Sequence, residues 1–242
     1  MDLPSSHAHL KMKEGFALSY DRRLRNPNWV YEIVTKDQLD TKRVSRQTQT
    51  FRADPTTPEP FRVHPTEFAQ SGYDRGHLVP ARDVMYSPAA MEDSFLMTNV
   101  SPQVGPGFNR DYWARFEGFV RHLAKVYDEV HVITGPLFLP QNKNKKKRIV
   151  QYEVIGPHSV AVPTHFFKVI FAPKQQQIVG FVLPNAAIEA STRLTEFIAP
   201  IPQIESASGL ELFRHTSQHR SNMCDAIACA LPKQEFKRVI KQ

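Results

Sequence analysis

The chain has 242 residues, 41% of them apolar and 23% charged, with 19 prolines and 10 glycines. That balance supplies enough apolar material for a full core and excludes a collagen-like, low-complexity or mainly disordered chain. Lys and Arg outnumber Asp and Glu by 31 to 24, a net charge of +7, which favours an anionic partner although a basic surface also simply keeps a protein soluble. In chain order, residues 1–14 read as a flexible N-terminal segment of a single domain spanning 1–242. Residues 28–34, rich in β-branched and aromatic side chains, predict a strand. The polar, proline-bearing stretch 39–70 predicts loop. Residues 94–100 predict another strand. After Gly105-Pro106-Gly107, Trp113, Phe116, Phe119, Val120 and Leu123 recur at helical spacing and predict a helix over 109–127. Strands are expected at 129–134, 149–155, 159–171 and 177–183, with weak helical patterns after residue 186. Strands cluster while helices stand apart, so the expected architecture is α+β, a mostly antiparallel central sheet flanked by helices.

Two constellations carry chemistry. In Tyr73-Asp74-Arg75-Gly76-His77 a histidine follows an arginine across one glycine, placing a potential base beside a cation able to hold a phosphate. A cationic neighbour disfavours the imidazolium and keeps the ring able to accept a proton. Alone, the same run reads more simply as a turn histidine beside a solvated ion pair. The second constellation is Asn109, Trp113, Glu117 and Arg121, four residues apart on one stripe of the predicted helix. Asn109 is compatible with a helix cap, and Glu117 with Arg121 with an exposed ion pair. An amide oxygen at a helix start is also an acceptable ligand for a hard cation such as Mg²⁺, which keeps several waters.

Together these motifs resemble the DNA/RNA non-specific endonuclease family. Asp74-Arg75-Gly76-His77 is followed by Thr98-Asn99-Val100-Ser101-Pro102-Gln103, then by Asn109-x-x-x-Trp113-x-x-x-Glu117-x-x-x-Arg121. The likeness extends through Thr134-Gly135-Pro136-Leu137 and Ala161-Val162-Pro163-Thr164-His165-Phe166-Phe167-Lys168, and it is strongest to the fungal members of the mitochondrial endonuclease G branch. The resemblance implies a ββα-metal site: strand, loop, strand, helix. It implies His77 as general base, Asn109 as the one protein ligand of Mg²⁺ (or Mn²⁺), and Glu117 hydrogen-bonded to the ion's waters. Arg75 and Arg121 would hold the scissile phosphate, and Asn99 would support the loop or the histidine. Arg46 and Arg52 are both candidates for a further phosphate-binding arginine. Asp74 and Trp113, inside the shared motifs, are assigned with them to the nucleic-acid contact surface. DNA and RNA substrates, 5′-phosphate and 3′-hydroxyl products, a homodimer, and mitochondrial residence with release in cell death are all implied. A rival reading is a basic nucleic-acid-binding protein without turnover. The intact set of His77, Asn109, Glu117 and Arg121 speaks against it.

Other features leave alternatives open. The run Lys143–Arg148 reads as a solvated hairpin loop, with a nucleic-acid or targeting patch as its rival. Arg22, Arg23 and Arg25 form a second basic cluster. His215, His219, Cys224 and Cys229 would suit structural zinc, but their spacing matches no common finger, and an ordinary or disulfide-linked cysteine pair is the alternative. Two cysteines cannot staple a chain this long, which fits a reducing compartment. No run of 18 apolar residues exists, so no membrane insertion is expected. The first residues show neither a secretory signal nor an Arg-rich transit peptide, as in a protein that is not imported or in a processed form.

Overall fold

The computed structural model describes residues 8–144, 147–213 and 220–232. The chain opens with strands β1 (Ala8–Lys13) and β2 (Phe16–Asp21), joined by the two-residue turn Glu14-Gly15. Gly15 takes φ +84°, which a tight hairpin turn favours. Residues 8–13 are therefore a paired strand rather than part of a flexible segment. The backbone continues through β3 (Asn26–Thr35) and the short helix α1 (Lys36–Asp40), capped by Thr35. Residues 41–72 form loops and short 3₁₀ turns, as the composition predicts.

Next come β4 (Tyr73–His77), helix α2 (Pro88–Ser94), β5 (Val100–Val104) and α3 (Ala114–Tyr127). The strand expected at 94–100 is displaced. The Ser87 hydroxyl accepts from Ala90 N and starts α2, and Asn99 turns the backbone through a 3₁₀ segment, so pairing begins only at Val100. A π-wound stretch, Gly105–Trp113, feeds directly into α3, so the predicted helix is present. Pro106 and Gly107 depart from helical angles, and Asp111 closes the turn by accepting from Gly107 N at 2.6 Å.

After α3 come β6 (Glu129–Leu137), the hairpin β7 (Gln141–Asn144) and β8 (Lys147–Ile149), β9 (Val154–Ile155), β10 (Val160–Ala161), β11 (His165–Ala172) and β12 (Gln177–Pro184). Helix α4 (Ile201–Ser208), strand β13 (Ser221–Asn222) and the turn-long α5 (Met223–Ala226) end the described chain. The run Lys143–Arg148, expected as a loop, is in part strand: Lys143 and Asn144 belong to β7 and Lys147 and Arg148 to β8, while residues 145 and 146 lie outside the described residues. The predicted strand 149–155 is two fragments, the end of β8 at Ile149 and β9 at Val154–Ile155, separated by the exposed irregular residues 150–153. The strand 159–171 is likewise split, since Pro163 has no N–H for a ladder.

Seven strands form one sheet in the order β1-β2-β3-β6-β11-β12-β13, antiparallel except for the last pair. Alternation along β11 explains the layering. Phe166 and Ile170 face the core under α3, while Phe167, Val169 and Phe171 pack with Ile204 of α4 on the opposite face. The sheet is thus covered on both sides, and β4, β5 and α3 are held as one unit above it. No described helix is long and apolar enough to cross a membrane.

Arg22 lies over the Phe61 ring and Arg25 donates to Pro60 O, which ties this basic cluster to the 58–61 turn. Cys224 and Cys229 form a disulfide, which removes both thiolates from the zinc set; His215 and His219 lie outside the described residues.

Phe116 joins the layers, with its ring against those of Trp113, Phe119 and Phe181 and no exposed surface. Phe116→Ala is expected to lower stability by about 3–5 kcal/mol, read as a shifted urea midpoint with an unchanged slope.

Candidate active site

The site is built where β4 meets the start of the helix. In β4, Gly76 pairs with Ser101 and His77 with Val100. A β-carbon on Gly76 would collide with the Gln103 side chain, so glycine is required between Arg75 and His77. His77 ends the strand, with its half-buried ring between Phe51 (4.9 Å) and Phe95 (4.7 Å). Its Nε2 is shielded from solvent and has no hydrogen-bond partner among the described residues. Burial, reinforced by the Arg46 guanidinium, pushes its pKa down to about 3, so the imidazole is neutral over the physiological range.

Asp74, three residues earlier, makes the link to the helix. Its carboxylate accepts from Asn109 Nδ2 at 2.8 Å and from the Arg110 guanidinium at 2.8 and 2.5 Å. Asp74 can only accept, so the amide nitrogen of Asn109 must face it. The amide oxygen is left without a partner among the described residues. The Arg110 fork, despite some burial, holds the Asp74 pKa below the ordinary value and keeps it charged.

One turn pair further on, Glu117 is pushed up to about 7, first by burial and then by Asp83, against the pull of Arg121. Arg121 donates from Nη1 to Asp83 Oδ1 at 2.8 Å. Beneath these lies Lys168, 1% exposed, whose Nζ donates to Thr134 Oγ1 at 2.6 Å and sits 5.2 Å from the Trp113 ring. Burial lowers the Lys168 pKa and raises that of Glu32, which faces it from β3.

The structure therefore brings His77, Arg75, Asn109, Glu117 and Arg121 to one region, and it separates the other candidates. Arg75 is exposed, 5.0 Å over the Phe51 ring that also packs on His77. Of the two upstream arginines, Arg46 is exposed and electrostatically close to both His77 and Glu117. Arg52 instead pairs with Glu92 at 3.7 Å. Trp113 is completely buried among Phe108, Phe116 and Phe166, so it is a core residue and not a nucleic-acid contact. Asp74 is no contact either, because its carboxylate is spent on Asn109 and Arg110. Asn99 is fully buried, accepts from Val79 N and donates to Val79 O and Ser94 O, so it holds the segment just after His77. Sequence reasoning missed Asp83, Arg110, Glu32 and Lys168. A lone charge inside an apolar strand was the available signal for the last two.

The described residues include no cluster of three or more His, Cys, Asp or Glu side chains able to hold a metal. The Asn109 amide oxygen, turned away from Asp74, is the kind of single donor that a hydrated hard cation takes.

A two-strand-and-helix unit that presents a neutral histidine, a free amide oxygen and flanking arginines is the layout of a phosphodiester-cleaving site. A model of the DNA/RNA non-specific endonuclease family matches residues 2–219, and the chain belongs to that family of hydrolytic nucleases. It is 40% identical over 99% of its length to a protein of Schizosaccharomyces pombe named Nuclease 1, mitochondrial, covering 77% of that protein. It is 42% identical over 96% of its length to the mitochondrial nuclease of Saccharomyces cerevisiae, covering 74% of it. Against human endonuclease G, mitochondrial, the identity is 41% over 84% of this chain and 69% of the relative. The crystal structure of an EndoG/EndoGI complex, a study of EndoG inhibition, superposes with a TM-score of 0.86 at 37% identity over 91% of both chains.

Without metal, Glu117 keeps its proton when folded up to about pH 7 but loses it near 4.5 when unfolded, so this group's contribution to stability falls as pH rises through that window. Glu117→Gln is expected to raise stability at pH 8 in EDTA by on the order of 1–3 kcal/mol and to change little at pH 4.5, read by urea unfolding at both values.

Proposed function

We propose that this chain is a sugar-non-specific, metal-dependent endonuclease that hydrolyses DNA and RNA to 5′-phosphate and 3′-hydroxyl ends. The observation that carries the reading is the pair formed by the neutral, unpartnered Nε2 of His77 and the Asn109 amide that Asp74 turns oxygen-outward.

His77 takes the proton of a water as its oxygen attacks phosphorus, and the bond from phosphorus to the 3′ oxygen breaks as that oxygen takes a proton from solvent water to become the 3′-hydroxyl. Arg75, Arg46 and Arg121 offer guanidinium donors to the phosphate oxygens as charge builds on them. Arg121 keeps Asp83 on Nη1 and has its remaining nitrogens for phosphate. Asn99 is a positioning residue that fixes the backbone behind His77. Asn109 would hold Mg²⁺ or Mn²⁺, with Glu117 accepting from its waters. When bound, the ion supplies Lewis-acid stabilisation of the phosphate and the departing oxygen. Every group at the site addresses phosphate or metal, which supports sequence-tolerant cleavage without need of a 2′-hydroxyl. The relatives' names support residence in mitochondria. The resemblance further supports a homodimer, to be read by sedimentation.

Supercoiled plasmid and single-stranded RNA should both be degraded with Mg²⁺ and survive in EDTA. His77→Ala should lose at least about 100-fold in kcat while still binding the substrate, as expected for removal of a general base. Turnover at the parent rate by this variant would sink the mechanism. Asn109→Ala should shift the Mg²⁺ titration to higher concentration, and an unchanged titration would remove Asn109 from the ligand role.

A further inference from the structure

Phe51 touches two of the site's working groups at once. Its ring centroid is 4.9 Å from that of His77 and 5.0 Å from the guanidinium carbon of Arg75. The ring lies half-buried at the margin of the core, where it also packs on Phe95 at 5.0 Å. The segment that follows it is fastened without the ring. Arg52 N donates to Phe95 O at 3.1 Å, and Met97 N donates to Arg52 O at 2.9 Å. Two residues on, the buried Asp54 accepts from Thr98 Oγ1 at 2.8 Å and pairs with Lys13 at 3.2 Å and Lys11 at 3.4 Å. Residues 52–54 are thereby stapled to 95–98 and to β1. The ring is delivered to a fixed place beside the end of β4.

Both contacts suit what the two groups must do. Arg75 is exposed, and its one side-chain hydrogen bond among the described residues runs from Nη1 to Pro65 O at 3.5 Å. Arg110 and Arg121, by contrast, give donors to Asp74 and Asp83. A carboxylate holds an arginine by taking its N–H groups and offsetting its charge. A ring face attracts the cation and leaves those donors for a phosphate. At His77 the same ring helps to exclude water, and it offers no group that competes for Nε2. The charged groups nearest this arrangement are the Arg75 and Arg46 guanidiniums, and Arg46 acts on the imidazole in the same direction as burial does.

We propose that Phe51 is a positioning residue for cleavage: its ring fixes the Arg75 guanidinium beside His77, so that cation and base meet the same phosphodiester. The inference rests on the nuclease reading above and adds to it a residue that acts through two others.

The test uses two variants. Phe51→Leu keeps an apolar side chain against His77 and removes the ring under Arg75, whereas Phe51→Ala removes both. Kinetics are read on a small single-diester substrate with Mg²⁺, so that contacts at the scissile phosphate alone count. Phe51→Leu should lower kcat/KM by about 3- to 30-fold, the range spanned by a cation on an aromatic face. In an Arg75→Ala background the same change should cost less than about 2-fold, since the partner is gone. Equal losses in the two backgrounds overturn the positioning role and leave Phe51 a packing residue. The second readout needs neither turnover nor metal. The His77 ring-proton signal, assigned by its loss in His77→Ala, should remain that of a neutral ring down to pH 4 in the parent, given a pKa of about 3. In Phe51→Ala water reaches the imidazole, and the midpoint should rise by at least about one pH unit toward 6.5. An unmoved midpoint overturns the contact with His77. Phe51→Leu, the milder change, decides the coupling to Arg75 even where Phe51→Ala fails to fold. Failure of the nuclease reading shows separately, as a parent chain that cleaves no diester while its His77 signal behaves as stated.

Discussion

The Asp74 carboxylate is the joint on which the site hangs. It belongs to one strand of the antiparallel β4–β5 pair, yet its partners Asn109 and Arg110 begin the helix. A carboxylate has no proton to give, so it dictates which end of the Asn109 amide faces inward. The histidine three residues along the same strand is thereby placed in fixed relation to the amide oxygen. Gly105 lies against the same carboxyl group, so the chain between strand and helix has no room for a side chain there. One carboxylate thus ties the strand that carries His77 to the Asn109 amide, two groups 32 residues apart in the chain.

Under this joint lies a second demand of a different kind. Glu32, Asp83, Glu117, Arg121 and Lys168 are charged or chargeable groups packed beneath or within the site. Such a cluster is a weak source of stability, since desolvation of each ion offsets most of the attraction. Its effect falls on Glu117 instead, whose proton affinity burial raises into the neutral range, with Asp83 adding to the rise and Arg121 and Lys168 opposing it. A core built only of the aromatic residues around Trp113 would hold the helix as firmly. It would leave Glu117 with no charged neighbours to set its state.

Much of this architecture was legible in the order of residues, for identifiable reasons. The helix carrying Asn109 to Arg121 announces itself because its apolar groups repeat at 3.6, and β12 because seven residues of consistent β character precede a proline. The Asp74–His77 motif and the helix stripe name the site because their spacing is local. What the pattern hides are consequences of three-dimensional neighbours. Trp113 shares the stripe with Glu117 and Asn109, but Phe166, 53 residues later on a strand, covers it. Asp74 looks like a partner for its neighbour Arg75 and is taken by Arg110. The segment 94–100 has the composition of a strand, yet side-chain bonds of Ser87 and Asn99 to the backbone outcompete pairing there. The β1–β2 hairpin escaped notice because Glu14-Gly15 is not among the common hairpin turns.

The chain contains two tryptophans, and they report on different places. Trp29 is on β3 at the face that packs with Ile133 and Leu210. Trp113 is wholly buried, with the Lys168 ammonium over its ring. An indole is sensitive to the field of a cation so near, because its excited state redistributes charge across the two rings. The emission of Trp113 therefore follows the ionisation of the cluster beneath the site, and replacing Trp29 with Phe isolates it. The molecule carries its own optical gauge of that charge, in a position no solvent quencher reaches.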